Sequence, residues 1–338
     1  MPEPAGITVI GAGMAGAACA RLLADSHVSV RVLERSRVPG GRLAAPQLGG
    51  RRVDIGASYF TVSDDAFGSV VAGWRDKGLA RPWTDTFDAR PARRDESDSG
   101  TGPMRWATRE GMSSLIGNLL DGLDVTLHHE VGPLQAGPRG VGQDGGDGFN
   151  SRVVVLAMPD PQAARLAGSG PFSQLQAQLD VDFDPVITVT AAWPKREWSF
   201  HNGVFVNDHP AITFVADDGA RRGDQAAVLV THTSASLAQR HLADPDATIE
   251  PVLRALADVL DVTGEPIWTH AHRWTSAKPV GRHAQSFLWY PIGDIGGEYL
   301  NGSAVAVAGD SWCPSGRPRV ESAWLSGTAV ARHILENW

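Results

Sequence analysis

Ile7-Thr8-Val9-Ile10-Gly11-Ala12-Gly13-Met14-Ala15-Gly16 is the stretch that decides the fold. The first four residues are apolar or β-branched and read as a short buried strand. The next six spell G-x-G-x-x-G, and helical character runs from Met14 to Ala24. Val28 to Leu33 then alternates toward a second strand, which ends at Glu34. Strand, glycine turn, helix and strand make one βαβ unit. In that setting Gly11 permits the sharp turn, Gly13 leaves the backbone open to a diphosphate, and Gly16 lets the helix lie close to the strand. Free N–H groups and about half a positive charge at the helix start suit a phosphate. Glu34 can accept hydrogen bonds from both ribose hydroxyls of an adenosine and would repel a 2′-phosphate. The unit calls for an adenine dinucleotide and by itself does not separate FAD from NAD.

The chain has 338 residues, enough for one large domain or two closely joined ones. Hydrophobic residues make up 42% and charged residues 20%, an ordinary globular balance. A formal charge of −8 argues against a nucleic-acid partner, which favours a basic face. No apolar run approaches the ~20 residues that span a bilayer, so no membrane partner is expected. Met1-Pro2-Glu3-Pro4-Ala5-Gly6 has no basic region ahead of an apolar stretch. The two cysteines, Cys19 and Cys313, make no disulfide framework, and a cytoplasmic location is expected.

Further along, Gly40 to Arg42 marks a loop, and Arg90 to Gly102 reads as an exposed loop. Met112, Leu115, Ile116, Leu119 and Leu120 recur at helical spacing within 111–120. Val125 to Leu134 can hold a strand, and the glycine-rich Gly137 to Gly148 reads as a flexible hairpin tip. Arg152 to Ala157 is a continuous apolar run of the kind buried on both faces, closed by Pro159. Strands are expected at 186–193, 203–206, 211–216 and 227–233, followed by a helix over 249–260. This middle region implies a largely antiparallel sheet. A last buried strand at 303–308 and a helix over 321–335 complete the reading.

Arg35 to Arg42 reads R-S-R-V-P-G-G-R, and it resembles the second FAD motif of the flavin amine oxidase and renalase superfamily. Paired glycines bring the backbone near the flavin, and Arg42 can neutralise diphosphate with charge-assisted hydrogen bonds. Further stretches resemble bacterial renalase-like proteins: Val53 to Thr61 (VDIGASYFT), Gly111 to Leu115 (GMSSL), Val153 to Gln162 (VVVLAMPDPQ) and His272 to Pro279 (HRWTSAKP). Gly309-Asp310-Ser311-Trp312 and Arg319-Val320-Glu321-Ser322-Ala323 resemble the family's G-D-W and R-V-E-G-A. The chain departs from the pattern at Glu110, where proline is usual, at Ser322, where glycine is usual, and at Ser311, which splits G-D-W.

The resemblance implies an α/β fold: a doubly wound Rossmann-type FAD-binding domain with a second, mostly antiparallel α+β substrate domain. The expected boundaries are 1–62, 107–168 and 296–338 for the FAD domain, and 63–106 and 169–295 for the substrate domain. It also implies FAD contacts from Gly11, Ala12, Gly13, Met14, Ala15, Gly16, Glu34, Arg35, Gly41, Arg42, Gly56, Ala57, Ser58, Tyr59, Val131, Gly309, Asp310, Arg319, Val320 and Ala323. Asp310 would meet the ribityl or diphosphate portion, and Val131 the adenine through its backbone. The helix near Val320 would aim its start at the flavin C2 carbonyl, where reduction builds negative charge. For Asp310 a capping or turn role is the alternative, and for Val131 ordinary core packing.

The reaction class implied is oxidation of NAD(P)H isomers by hydride transfer to flavin N5, with O2 reoxidising the flavin to H2O2. The flavin carries the chemistry, so no catalytic side chain is named. A flavin amine oxidase and a flavin-binding protein without turnover are the alternatives. Where amine oxidases often place a cage aromatic, this chain has Arg319, with Arg317 nearby; a guanidinium repels an ammonium and attracts a phosphate. Both arginines could equally serve FAD phosphate or face solvent. Tyr59, Phe60, Trp274, Trp289 and Trp312 are candidate substrate-pocket residues, with core packing as the alternative for each. His272 and His283 could assist proton transfer or be structural. No metal-ligand spacing and no G-x-S-x-G nucleophile motif occurs. The sequence does not fix the oligomeric state.

Overall fold

The computed structural model describes residues 6–90, 101–137, 140–143, 148–168, 170–293 and 302–338. Most of the expected loop at 90–102, much of the hairpin tip at 137–148 and the residues before Gly6 lie outside the described residues. In chain order the elements used below begin with β1 (Ile7–Ile10), α1 (Met14–Asp25), β2 (Val30–Leu33), α2 (Asp65–Asp76), β3 (Asp88–Arg90), α3 (Ser113–Leu120) and β4 (Asp124–Thr126). They continue with β5 (Val153–Ala157), α4 (Asp160–Ala167), β6 (Phe183–Ala192), β7 (Gly203–Val206), β8 (Ile212–Asp217) and α5 (Asp218–Arg222). The last are β9 (Val228–Thr233), α6 (Ile249–Leu260), β10 (Trp268–Pro279), β11 (Leu288–Pro291), β12 (Ala304–Ala308) and α7 (Val320–Asn337).

The chain forms two compact units: 1–41, 116–183 and 279–338 in one, 42–115 and 184–278 in the other. The first unit is built on a six-stranded sheet in the order β11-β12-β5-β1-β2-β4. Ile7 pairs in parallel with both Val153 and Val30, and Val153 with Ala304; β11 alone runs antiparallel, Leu288 opposite Val307. All five residues of β12 and the first four of β5 are buried, as expected for strands covered on both faces. Ile10, Leu33, Leu156 and Val307 point to one side and share a core with Val141 and Phe149. Those two come from a small antiparallel sheet of Gln135–Gly137, Gly140–Gln143 and Phe149–Ser151, which takes the place of a crossover helix between β4 and β5. Within this unit α1 and α7 pack so closely that a Cβ on Gly327 would stand 2.0 Å from the Ala15 carbonyl oxygen.

The second unit carries a six-stranded sheet in the order β10-β6-β9-β8-β7-β3. Thr188 and Phe214 both lie opposite His232 in antiparallel register, while β3 joins the edge in parallel, Asp88 opposite Val204. Ile187, Val189, Val215 and Leu229 face Val252, Ala255 and Leu256 of α6. Phe214, Ala216 and Val230 face Val53 and Ile55 on the other side. The period of two along these strands thus separates a helix-covered face from one that meets the D-I-G-A-S segment.

Several elements start later or stop earlier than the pattern suggested, for local reasons. β2 begins at Val30 because His27 takes φ 61° and Val28 N–H is spent on the Leu23 carbonyl. α3 begins at Ser113 because Gly111 has φ 91°. The strand expected over 125–134 is confined to Asp124–Thr126, since His128 at φ 57° turns the chain.

Candidate functional site

At the glycine turn, Gly11 has φ 108°, and a Cβ there would stand 2.6 Å from the Ala157 carbonyl oxygen. A Cβ on Gly16 would lie 2.0 Å from the Gly11 oxygen, so Gly16 is what allows helix and turn to touch. Gly13 is different: a Cβ there meets nothing within 4 Å. It caps α1 in an extended conformation with no side-chain cap and no acid in the first turn. The helix therefore presents its orphan N–H groups and positive end to open space. Gly41, at φ 53°, approaches from the other side, its would-be Cβ 3.5 Å from Gly13 Cα, and Gly40 N–H donates to Ala12 O at 2.9 Å.

Glu34 is buried and both carboxylate oxygens are engaged. Oε2 accepts from Ala12 N–H and Oε1 from Ser36 N–H, each at 2.8 Å. Each oxygen keeps a second lone pair for a ribose hydroxyl. Arg35 is exposed; Met14, Ala15 and Val131 are buried. Gly309 N–H donates to Ser326 Oγ at 3.1 Å, and Ser322 Oγ, 3.2 Å from Asp310 O, accepts from Arg319 N–H at 2.8 Å. Ser322, where the motif has glycine, thereby closes the first turn of α7. Val320 is half-buried and Ala323 buried in that turn. Arg319 is ion-paired with the buried Glu321, so its charge is locally countered.

Two of the pocket candidates lie in this unit, each packed against aromatic or imidazole rings. Trp312 is 2% exposed in the core, stacked on His283 with ring centroids 3.5 Å apart, and Trp289 packs edge-on against His333 and Trp338. His283 Nε2 stands 2.6 Å from Asp160 and Nδ1 3.8 Å from Asp180. These three groups could hold an ion by proximity, a cluster that sequence spacing did not reveal. The two ring nitrogens address different carboxylates, which is the geometry of a hydrogen-bonded bridge rather than of ligands converging on one ion.

The second unit holds the other candidates. Gly56 is required by the Arg42 carbonyl, which a Cβ would meet at 1.9 Å; Ala57 N–H donates to that same carbonyl at 2.9 Å. Arg42 Nη1 donates to Ala277 O at 3.0 Å. Ser58 is buried with its hydroxyl lacking a partner among the described residues. Phe60 is 2% exposed among Phe67, Trp74 and Trp106. Tyr59 packs on Phe87 and Phe214, with the Arg105 guanidinium 5.6 Å from its ring. Desolvation raises its phenol, and Arg105 opposes the shift.

Trp274 Nε1 donates to Ile55 O at 3.0 Å and to Thr188 Oγ1 at 3.2 Å. His272 lies against Trp274 and His270 beyond it, ring centroids 4.4 and 6.5 Å apart. His232, opposite Thr188, has Nε2 3.1 Å from Gly56 O. Desolvation and then Lys278 pull His232 down to about 4. Desolvation also lowers Lys278, with Asp184 opposing, and lowers His272, with His270 and Arg273 adding to it. One face of the sheet thus gathers aromatic rings, three imidazoles and a lysine beside the backbone of Ile55 and Gly56.

Sequence reasoning named Trp274 and His272 but not His270, His232 or Lys278 beside them, and it missed a buried charge network. Asp54 accepts from Met112 N–H at 2.6 Å and pairs with Arg221 at 2.5 Å and Arg222 at 3.1 Å. Asp218 pairs with Arg221, Arg222 and Arg51. Arg222 also donates to Arg109 O at 2.6 Å. The dense run Asp217-Asp218-Gly219-Ala220-Arg221-Arg222 was the available signal.

A family model described as "Flavin containing amine oxidoreductase" matches residues 84–335, and one described as "NAD(P)-binding Rossmann-like domain" matches residues 9–72. The chain belongs to the flavin containing amine oxidoreductase family. Among curated proteins this family member is similar to renalase of Mus musculus, 23% identical over 305 residues that cover 80% of this chain and 84% of that one. Among solved structures it resembles cyclohexylamine oxidase from Brevibacterium oxydans IH-35A, with TM-score 0.73, 16% identity and 98% and 99% of the two chains covered. A putative protoporphyrinogen oxidase from Exiguobacterium sp. 255-15 gives TM-score 0.72, 14% identity and the same coverages. As a member of this family the chain is a flavin-dependent oxidoreductase with FAD as cofactor. Its residues fit that group: the space before Gly13, the uncapped start of α1 and the placement of Glu34 are what an adenine dinucleotide needs. No helix among the described residues is long and apolar enough to cross a membrane.

Proposed function

We propose that this chain is a renalase-like FAD oxidase acting on dihydronicotinamide dinucleotides, the NAD(P)H isomers. Bound FAD supplies the two-electron acceptor at N5 and, after reduction, a route to O2 that yields H2O2. The first unit would hold the dinucleotide through Gly11 to Gly16, Glu34, Arg35, Gly41, Val131, Gly309, Asp310, Arg319, Val320 and Ala323. The family resemblance also implies FAD contacts from Arg42, Gly56, Ala57, Ser58 and Tyr59. We place the substrate against the second unit, with Tyr59 and Trp274 as aromatic walls; the two free, buried cysteines support a cytoplasmic setting.

The observation that carries the substrate reading is the face formed by Trp274, His270, His272, His232 and Lys278. Lys278 makes no hydrogen bond or ion pair among the described residues and keeps solvent access. A lysine and imidazoles beside flat rings suit a planar reductant that carries phosphate. An ammonium substrate would meet like charge at Lys278. The similarity to renalase over most of the chain points the same way. The competing reading is an amine oxidase, which the family description favours.

Anaerobic mixing decides between them. The purified protein should be yellow, and its flavin band should bleach with NAD(P)H isomers and recover in air with H2O2 formed. Bleaching by amines alone would overturn the proposal in favour of the second reading. No bleaching by either, in a protein that retains FAD, would make it a flavin-binding protein without turnover.

A further inference from the structure

The loop Gly309 to Cys313 joins β12 to the segment before α7 and is clasped from two flanks. Ser322 and Ser326 of α7 hold one, at Asp310 O and Gly309 N–H. The other flank is held by Asp160, within the family-like stretch Val153–Gln162, and by His283, which lies outside the motifs quoted above. Asp160, at the start of α4 and fully buried, receives His283 Nε2 at 2.6 Å, Val181 N–H at 3.2 Å and Ser311 Oγ at 3.3 Å. His283 N–H donates to Ser311 O at 2.9 Å, and its ring lies on Trp312 with 11° between the planes.

Ser311 is the residue by which this chain exceeds the G-D-W pattern. It is not looped out; it is 0% exposed, and both its hydroxyl and its carbonyl are taken up by the Asp160–His283 pair. Removing the carboxylate would leave a buried hydroxyl and a buried imidazole N–H without their acceptor, which such groups do not tolerate cheaply. The loop would then be free to shift at Asp310, its neighbour in the chain.

We propose that Asp160 and His283 are positioning residues for FAD: acting through Ser311 and Trp312, they fix where Asp310 stands against the cofactor. The inference rests on the reading of Asp310 as an FAD contact. Neither residue need touch FAD. The pair compensates for the inserted serine and makes cofactor affinity depend on a carboxylate–imidazole bond away from the dinucleotide motif.

The test uses the holoprotein with His283→Phe, which keeps a ring against Trp312 but cannot bond Asp160, and Asp160→Asn. His283→Gln, which keeps an N–H toward Asp160, serves as the conservative variant, and Asp180→Ala as a control at an exposed carboxylate. FAD release is read by recovered flavin fluorescence, and the environment of bound FAD by its visible circular dichroism and reduction potential. His283→Phe and Asp160→Asn should raise the FAD dissociation constant about tenfold, the loss expected of one buried hydrogen bond, and change the visible spectrum. Partial recovery is expected in His283→Gln and no change in Asp180→Ala. If Asp160→Asn does not fold, His283→Phe decides alone. Wild-type affinity, spectrum and potential in His283→Phe, beside weakened FAD binding in Asp310→Ala, would overturn this inference only. Wild-type affinity in Asp310→Ala would remove the reading beneath it.

Discussion

The Glu34 carboxylate accepts the Ala12 N–H at 2.8 Å, so the acid expected to bind ribose also holds the middle of the glycine turn. Glu34→Gln keeps the shape but turns one acceptor into a donor and removes the charge. The loss should be about 1.5–3 kcal/mol, split between turn stability and FAD affinity. Thermal melting of the apoprotein and FAD titration measure the two parts. An unchanged melt with weakened FAD binding would assign Glu34 to the ribose alone.

Gly13 and Gly16 should respond oppositely to alanine. Gly13 has φ −87° and open space before it, so Gly13→Ala should fold with a near-normal melting temperature yet bind FAD poorly. Gly16→Ala would drive a methyl to within 2.0 Å of the Gly11 carbonyl oxygen and should fail to accumulate as folded protein. Soluble yield and flavin content per chain separate the two.

Asp54→Asn should be strongly destabilising. Burial raises the Asp54 carboxyl despite Arg221 and Arg222. Burial opposes ionisation of Asp218 as well, but Arg221, Arg222 and Arg51 outweigh it and hold Asp218 below the ordinary carboxyl range. Removing Asp54 leaves two buried guanidinium groups sharing one remaining acid, a loss of about 3–5 kcal/mol. Urea unfolding reads it directly. A loss below 1 kcal/mol would show that water reaches the network.

His232 gives stability a sign in pH. Its folded value is about 4, against 6.5 for an ordinary imidazole. Below 6.5 the unfolded chain takes up the proton first, so stability is full above 6.5 and falls as pH drops toward 4. The total for this group is about 3 kcal/mol. His232→Gln should flatten the melting temperature over that window. An unchanged slope would mean that the imidazole is protonated in the folded state.

The βαβ unit was legible because glycine, strand and helix signals agree within thirty-odd residues, and local chemistry governs the turn. The buried strands at 153–157 and 304–308 were legible as unbroken apolar runs. The helix at Asp65–Asp76 was not read, because its buried set is only Phe67, Val71 and Trp74. The twelve-residue strand Trp268–Pro279 alternates indole and imidazole rather than aliphatic side chains, so it registered as a motif and not as a strand. The Asp54 network, the Asp160–His283 pair and the contact of His232 with the Gly56 carbonyl each join residues more than a hundred positions apart. No spacing rule operates over that range; only the fold brings them together.

The Val153–Ala157 strand lies between Ile7–Ile10 and Ala304–Ala308, and the Ala15 backbone receives Gly327 with no room for a methyl. The strand and helix that flank the glycine turn therefore depend on packing partners far along the chain. A nascent chain can form the glycine turn early but cannot finish its sheet or seat its final helix until synthesis reaches this region. Closing the sheet around the glycine turn is thus a long-range event in folding, of the kind whose loop-closure entropy makes it slow.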